Sequence, residues 1–334
     1  MSEVLDTLKL VAGATSEKDI IPVLKHFAFR GERVYATDGR ITISAPCIEL
    51  ASIITGTVDA QKLIAAFEII GTGKWEIIKP LDDMTHIKIK ANNFLARIPM
   101  GPIDAFPFTD EGAYQLKKIA LLDVLRKLKP FIGTDASRPW SCGVYLGGAV
   151  AAATNNVTLA VCPSPLFLSH EIMLPVFAVD ELIRIGEEPI GILQEDNRIS
   201  FLLPYNATLS SVLVTEQWPK LPMELLKAIA SDAQYRVIPK ALAQAVEYLL
   251  PFCLDPKAPL ICFTERNVHT QEGEIQGRVD NVFSHQGRIA LPCRFRAEPL
   301  RSMLDVATHA DFTKFPRVPW KGVGIEGAIV GVVT

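Results

Sequence analysis

One stretch constrains the fold of this chain more than any other, because its pattern recurs. Tyr114–Asp135 reads YQLKKIALLDVLRKLKPFIGTD, and Tyr235–Pro256 reads YRVIPKALAQAVEYLLPFCLDP. Aligned without a gap, Tyr114, Ala120, Leu121, Pro130 and Phe131 fall on Tyr235, Ala241, Leu242, Pro251 and Phe252. In the other direction Leu121, Asp123, Leu125, Arg126 and Leu128 fall on Val4, Asp6, Leu8, Lys9 and Val11. Leu121, Val124, Leu125 and Leu128, and again Leu242, Ala245, Val246 and Leu249, have the spacing of one stripe on an amphipathic helix. Three such helices at near-equal intervals predict three tandem copies of one domain, over 1–112, 113–232 and 233–334.

Each copy reads as two halves, and each half as strand, helix, then two or three antiparallel strands. Copy one opens with a helix over Ser2–Ala14 and a hairpin of Phe27–Phe29 with Val34–Thr37. Asp38-Gly39 turns the chain into Ile41–Ala45. The offset that puts Leu121 on Val4 also puts Pro139 on Pro22, Ala153-Thr154 on Ala36-Thr37 and Pro163 on Pro46. The second half of copy one predicts a helix over Asp59–Ile70, stopped by Gly71, then strands Trp75–Lys79, Thr85–Lys90 and Phe94–Ile98. Copy two predicts a strand at Glu171–Leu174, a helix over Val179–Gly186, and strands Ile190–Gln194, Ile199–Leu203 and Thr208–Val214. Copy three predicts a strand at Arg288–Pro292, a helix over Glu298–His309 and a closing strand Gly327–Val333. The joins fall at Pro107–Ala113 and Pro219–Gln234, where Phe106-Pro107 and Trp218-Pro219 end strands. The fold class is α+β, with two helices per domain packed on antiparallel sheet.

The remaining totals mostly exclude. A chain of 334 residues, 49% hydrophobic and 21% charged, has an ordinary core-forming balance. Its formal net charge of -3 is not that of a polycation gripping nucleic acid by bulk charge. The N-terminus lacks the basic and apolar regions of a secretory signal, and no uncharged apolar run reaches the ~20 residues of a membrane span. The expectation is a soluble, intracellular protein. Its six cysteines form no CxxC pair and read as reduced, mostly buried thiols; Cys293 alone is flanked by an arginine that would lower its pKa, and a structural thiol is the better reading there too. No His or Cys spacing suggests a metal site, and no cofactor is expected. A Gly-rich phosphate loop, GxSxG and HExxH are all absent, and Asp38 and Asp104 read as turn residues, so no catalytic residue is assigned.

The outer faces of the helices carry Lys9, Lys62, Arg126, Lys127, Lys129, Arg184, Lys240 and Arg301. Acids share them (Asp6, Glu68, Asp123, Asp180, Glu247, Asp305), so by charge alone each face also reads as an ordinary solvated surface.

Several stretches resemble the bacterial DNA sliding clamp, the beta subunit of the replicative polymerase. They are TSEKDIIPVLKHFAFRGERVYATDGRITISA at 15–45, FLARIPMGPIDAFPF at 94–108, the 136–161 run from ASRPWSCGVYL to AAATNNVTLAV, and VLVTEQWPKLP at 212–222. The resemblance covers the whole chain. It is shorter than typical bacterial members and lacks some of their usual residues, which fits a phage or plasmid version as well as a bacterial one. The resemblance implies a head-to-tail homodimeric ring in the cytoplasm that encircles duplex DNA without reading sequence. It also implies tethering of a DNA polymerase and a clamp loader through short peptide motifs, with no membrane partner. Twelve helices side by side at ~10 Å each would line a bore of roughly 38 Å diameter, wide enough for a duplex and a water layer. A sparse, mixed-charge lining suits sliding, because every neutralised phosphate adds salt-dependent grip.

Carried over by position, the resemblance implies DNA contact at Lys18 and at the Thr134–Arg138 loop. Pro139 and Trp140 stand where tyrosines are usual. Val176 and Phe177 replace two basic residues. With Arg138 and the helix cations above, these make the expected DNA-facing set. The implied peptide pocket comprises Ser141, Thr154, Leu159, Pro219, Leu225, Ile329, Val330, Val332 and Val333. Core packing explains Leu159 and Val330 equally well. The competing reading is an α/β repeat interaction scaffold that never encircles DNA.

Overall fold

The computed structural model describes residues 3–16, 21–78, 85–109, 112–117, 119–166, 168–255, 257–270, 277–283 and 293–333. In chain order the first elements are α1 (Glu3–Ala12), β1 (His26–Arg30), β2 (Arg33–Thr37), β3 (Ile41–Pro46), α2 (Ile48–Ala51), β4 (Gly56–Asp59), α3 (Ala60–Ile70), β5 (Glu76–Ile78), β6 (His86–Ala91), β7 (Phe94–Gly101) and β8 (Gln115–Leu116). There follow α4 (Leu122–Leu128), β9 (Gly143–Gly147), β10 (Val150–Thr154), β11 (Thr158–Pro163), β12 (Ile172–Pro175), α5 (Val176–Ile185), β13 (Gly191–Gln194), β14 (Arg198–Leu202), β15 (Thr208–Val212) and α6 (Leu221–Ala230). The last are β16 (Arg236–Val237), α7 (Lys240–Leu249), β17 (Leu260–Phe263), β18 (Val268–Thr270), β19 (Arg278–Val279), β20 (Cys293–Arg296), α8 (Ala297–Leu304), β21 (Ala307–Ala310), β22 (Arg317–Gly322) and β23 (Ile325–Val330). They form two compact units, Met1–Leu122 with Asp180–Leu213, and Asp123–Val179 with Val214–Thr334.

The first unit is built on an eleven-stranded antiparallel sheet, ordered β5-β6-β7-β4-β1-β2-β3-β15-β14-β13-β8. The β3–β15 step brings Ser44 opposite Thr208, and their buried hydroxyls hydrogen-bond at 2.8 Å. Helix α1 buries Val4, Leu5, Leu8 and Val11, and α3 buries Ala60, Leu63, Ala66 and Phe67. Those stripes pack the two helices together and into a core with Phe27, Phe29 and Ile43. Both ends of α3 are sealed. The Asp59 carboxylate accepts the Lys62 N–H at 2.9 Å, and Gly71, at φ 60°, donates its N–H to the Phe67 carbonyl.

The second unit holds an eight-stranded sheet, β12-β9-β10-β11-β23-β22-β21-β16, and a four-stranded one, β19-β18-β17-β20, again antiparallel. At the β11–β23 step a Cβ on Gly327 would lie 2.0 Å from the Leu159 carbonyl oxygen and 2.5 Å from the Trp320 ring, so only hydrogen fits. Trp320 is fully buried and stacks on Phe131 at 5.6 Å. Helices α7 and α8 pack together, burying Leu242, Ala245, Val246 and Leu249 from one and Ala297, Leu300 and Met303 from the other.

The repeat is visible in a turn made twice. Thr37 Oγ1 donates to the Ile41 carbonyl and accepts the Gly39 N–H, while Asp38 Oδ1 accepts the Arg40 and Ile41 N–H groups. Thr154 Oγ1 donates to the Thr158 carbonyl and accepts the Asn156 N–H, while Asn155 Oδ1 accepts the Val157 and Thr158 N–H groups. Gly39 and Asn156 occupy the same left-handed position, at φ 88° and 67°.

Three expectations change. The helix expected over Glu298–His309 stops at Leu304, and Ala307–Ala310 becomes strand β21, held between β16 and β22. The join at Pro219–Gln234 contains the ten-residue helix α6, started by Pro222 in its first turn. The helix expected from Val179 begins at Val176. The strand expected at Arg288–Pro292 lies outside the described residues.

Candidate functional site

The helix-borne cations are exposed, but most are spoken for. In the first unit, Lys9 on α1 reaches across to Glu68 on α3 at 2.7 Å, and Lys62 lies 3.8 Å from Asp59. Arg184 grips the buried Glu181 through Nε and Nη2 and donates to the Leu10 carbonyl at 2.7 Å, which satisfies an acceptor in the last turn of α1. In the second unit, Lys127 pairs with Asp123 at 2.7 Å, Arg138 lies 3.8 Å from Asp135, and Arg301 on α8 pairs with Glu247 on α7 at 2.5 Å. Lys129 is exposed. Among the described residues Arg126 and Lys240 carry no ion pair. Lys18 lies outside the described residues.

Thus each unit has a cross-helix ion pair on the exposed side of its helix pair, with the polarity exchanged: cation first in α1–α3, acid first in α7–α8. The result is a helix surface of many charges and little net charge. Beside it, hydrogen bonds from the Ser137 hydroxyl and N–H hold the Asp135 carboxyl below the usual carboxylate range.

The second candidate region is a sheet face in the second unit. Ala152 lies opposite both Tyr145 and Val161, and Leu159 opposite Ala328, so these side chains share one face. Helix α6 lies on that face. Its Leu226, 5% exposed, inserts against Ala152, Leu159 and Val161, with Tyr145, Val150, Trp218, Met223 and Ala328 packed around them. Trp218 stacks on Tyr145 at 5.2 Å and meets Trp140 edge-on at 6.2 Å. Burial first, and then the hydrogen bond to Glu171, pushes the Tyr145 phenol up to about 12.

The expected pocket residues divide. Leu159 belongs to the apolar cluster; Pro219 and Leu225 are half-buried and adjoin its Trp218 and Leu226 in sequence, one before α6 and one within it. Thr154 is 5% exposed with its hydroxyl committed to the turn, and Ser141 is fully buried with its hydroxyl donated to the Arg138 carbonyl. Ile329 is fully buried on the opposite face from Ala328. Val330 and Val333 are exposed and Val332 is half-buried. Their segment is tied down by main-chain bonds from Val330 to Val157 and from Val332 to Arg294, both 2.8 Å. Beside Val157 opens a cavity of about 580 Å³, walled by Thr134 and Asn155 on one side and by Arg296, Glu298 and Arg301 on the other. That size accommodates a short peptide or small ligand.

Leu226, Met223, Trp218 and Tyr145 were missed from the sequence. Met223 and Leu226 sit three apart, a helical signal inside a stretch whose prolines have the pattern of a connection. Among the described residues there is no cluster of His, Cys, Asp or Glu suited to a metal, and no helix is long and apolar enough to cross a membrane.

No protein-family model and no curated protein matches the sequence. Solved structures do match. The DNA polymerase sliding clamp from Bacillus subtilis aligns with a TM-score of 0.80 at 15% identity, over 99% of this chain and 97% of its own. The clamp from Caulobacter crescentus aligns with 0.78 at 17% identity, over 99% and 97%. A Helicobacter pylori beta clamp bound to a DNA ligase peptide aligns with 0.77 at 12% identity, over 99% and 98%. The chain has the sliding-clamp fold from end to end.

Proposed function

We propose that this chain, having the fold of the bacterial clamps, is itself a DNA sliding clamp. Two copies close head to tail around duplex DNA and tether a polymerase and a clamp loader. The observation that carries the reading is the full-length match of fold, because it includes both elements the function needs, the paired helices and the continuous sheets. The helix surfaces support it chemically. Among the described residues, Lys9, Lys62, Lys127, Arg138, Arg184 and Arg301 of the DNA-side set lie in ion pairs with neighbouring acids. A surface so neutralised makes few lasting phosphate contacts, which favours translation along DNA over tight binding. Exposed Ile78 and Leu95 in the first unit, and Tyr248, Phe252 and Leu254 in the second, offer apolar surface for contact between copies.

The same reading assigns the second unit's groove to peptide recognition, as the ligase peptide on the Helicobacter pylori clamp suggests. The half-buried Pro219, Met223 and Leu225 at the start of α6 supply apolar contact, and the exposed side chains of Val330 and Val333 add to it. The chain then works as a non-catalytic tether without a cofactor, in the cytoplasm of a bacterium or of a phage-infected one. Native mass and DNA retention test this together. A dimer that stays on nicked circular plasmid and runs off after linearisation is expected. A monomer with equal retention on both forms would instead fit a repeat scaffold that does not encircle DNA.

A further inference from the structure

Helix α6 sits on its sheet by less contact than the other helices of its length. Of its ten residues only Leu226 is buried, whereas α1 and α7, also of ten residues, each bury four. Leu221 is 62% exposed, and Met223, Leu225 and Ile229 are half-buried. The N-cap residue Lys220 makes no side-chain capping bond, and the first main-chain bond, from the Glu224 N–H to the Lys220 carbonyl, is long at 3.3 Å. Among the described residues no side chain of α6 forms a hydrogen bond or ion pair with the sheet. Apolar contact through Leu226 and Met223 holds the helix down.

The segments on either side of α6 are fixed. Before it, Trp218 is stacked on Tyr145 and set edge-on to Trp140. After it, Asp232 pairs with Lys314 at 2.6 Å, and the Gln234 N–H donates to the Asp311 carboxylate at 2.8 Å. A helix pinned at both ends and held in the middle by one leucine can lift without unfolding the sheet beneath it. The closed position also leaves the buried Trp218 indole N–H without an acceptor among the described residues, a cost that works against closure. Beneath α6 lies an apolar face of Val150, Ala152, Leu159, Val161 and Ala328. Ala152, opposite both Tyr145 and Val161, is its low point, and the Leu226 side chain fills it.

We propose that α6 is a displaceable lid on this groove, and that Leu226 holds the place taken by a leucine of a partner's peptide. The proposal rests on the assignment of the groove to peptide recognition and adds its regulation. The chain's own leucine competes for the face, so a partner must offer a segment that binds the open face better than α6 does. Apparent affinity is then the intrinsic affinity scaled by the fraction of chains with α6 lifted. A leucine-bearing segment is the fitting occupant because that side chain fills the face in the closed state, and no charged residue belongs to the cluster to favour an acidic or basic one.

Hydrogen exchange and fluorescence anisotropy on the full chain test it. The probe is a labelled peptide copying residues 220–231, KLPMELLKAIAS, and the control is the same peptide with Leu226→Ser. In the parent, amides of α6 should exchange about tenfold or more faster than those of β11 beneath it. Leu226→Ala should bind the probe about tenfold or more tighter than the parent does, and the control peptide should bind to neither. The exchange measurement needs no substitution, so it decides the matter even if the alanine variant folds poorly. Exchange of α6 as slow as that of β11 would overturn the lid. Equal binding of the probe by parent and variant would also overturn it, while leaving the groove a peptide site. Binding by neither would remove the peptide assignment and the lid with it. Self-association of Leu226→Ala without probe binding would put a second copy on the face and overturn the proposal too.

Discussion

If exposed ion pairs are what keep the helix faces from gripping DNA, removing their acids should make the protein stick. The triple variant Glu68→Gln, Asp123→Asn, Glu247→Gln frees Lys9, Lys127 and Arg301, now paired at 2.7, 2.7 and 2.5 Å. The acids are 50%, 69% and 46% exposed, so their loss should leave the fold intact, each pair contributing about 0–1 kcal/mol. Three cations per chain make six per ring. If each meets one phosphate, the slope of log K against log salt steepens by about 5, and lowering salt from about 200 to about 50 mM raises affinity roughly a thousandfold more than in the parent. Anisotropy of a labelled linear duplex over a salt series measures this. The parent should show weak binding and a shallow slope. As a control, Glu326→Gln, in the second unit's sheet, should change nothing. A triple variant with the parent's slope would mean that these helix faces do not meet DNA, and the account of sliding given above would be wrong.

Other outcomes follow from packing and burial. Leu226→Ala removes the side chain that α6 inserts against Ala152, Leu159 and Val161, and should cost about 2–3 kcal/mol in chemical denaturation. Retained stability would show that α6 does not lean on the sheet. Gly327→Ala forces a methyl against the Leu159 carbonyl and the buried Trp320, and about 3 kcal/mol or more of destabilisation is expected. Wild-type melting would refute that close approach. Burial pushes the Cys47 and Cys162 thiols up to about 11 and Cys293 to about 12, from an ordinary 9.0. The folded chain then keeps protons that the unfolded chain loses, so their contribution is complete below pH 9.0 and falls as pH rises towards 11, by up to about 1.4 kcal/mol per unit for each thiol. Urea midpoints at pH 8, 9 and 10 should decline accordingly; a flat profile would place these thiols in water.

The repeated helical stripe was legible because its period is a backbone property. Leu242, Ala245, Val246 and Leu249 sit on one face of any α-helix, and the structure buries all four. The turn at Asp38-Gly39 was legible for a related reason, since the Thr37 and Asp38 side chains bond their own backbone. The second-unit groove was less so. Ile329 has the composition of a pocket residue, but strand alternation turns it inward, and an error of one position reverses the facing. Thr154 and Ser141 look like binding hydroxyls, yet each is spent on a neighbouring carbonyl, a fact that depends on local geometry. Helix α6 was missed because the prolines at 219 and 222 and the aromatic before them read as a connection. The cross-helix pairing of Lys9 with Glu68 and of Arg301 with Glu247 joins residues on different helices, which no spacing within one helix reveals.

The interleaving of the two units bears on how the protein is made. The chain passes from one unit to the other after Leu122, Val179 and Leu213, and β11 receives its outer neighbour only when β23 is synthesised. At elongation rates of about 5–20 residues per second, the row from Thr158 to Val161 waits roughly ten to thirty seconds on the ribosome for the segment that covers it. A nascent chain with such an open ladder invites association with its neighbours on the same polysome. Slower initiation, or a chaperone that shields Thr158–Pro163, should raise the yield of native protein, and any message truncated before Ile325 should yield aggregate.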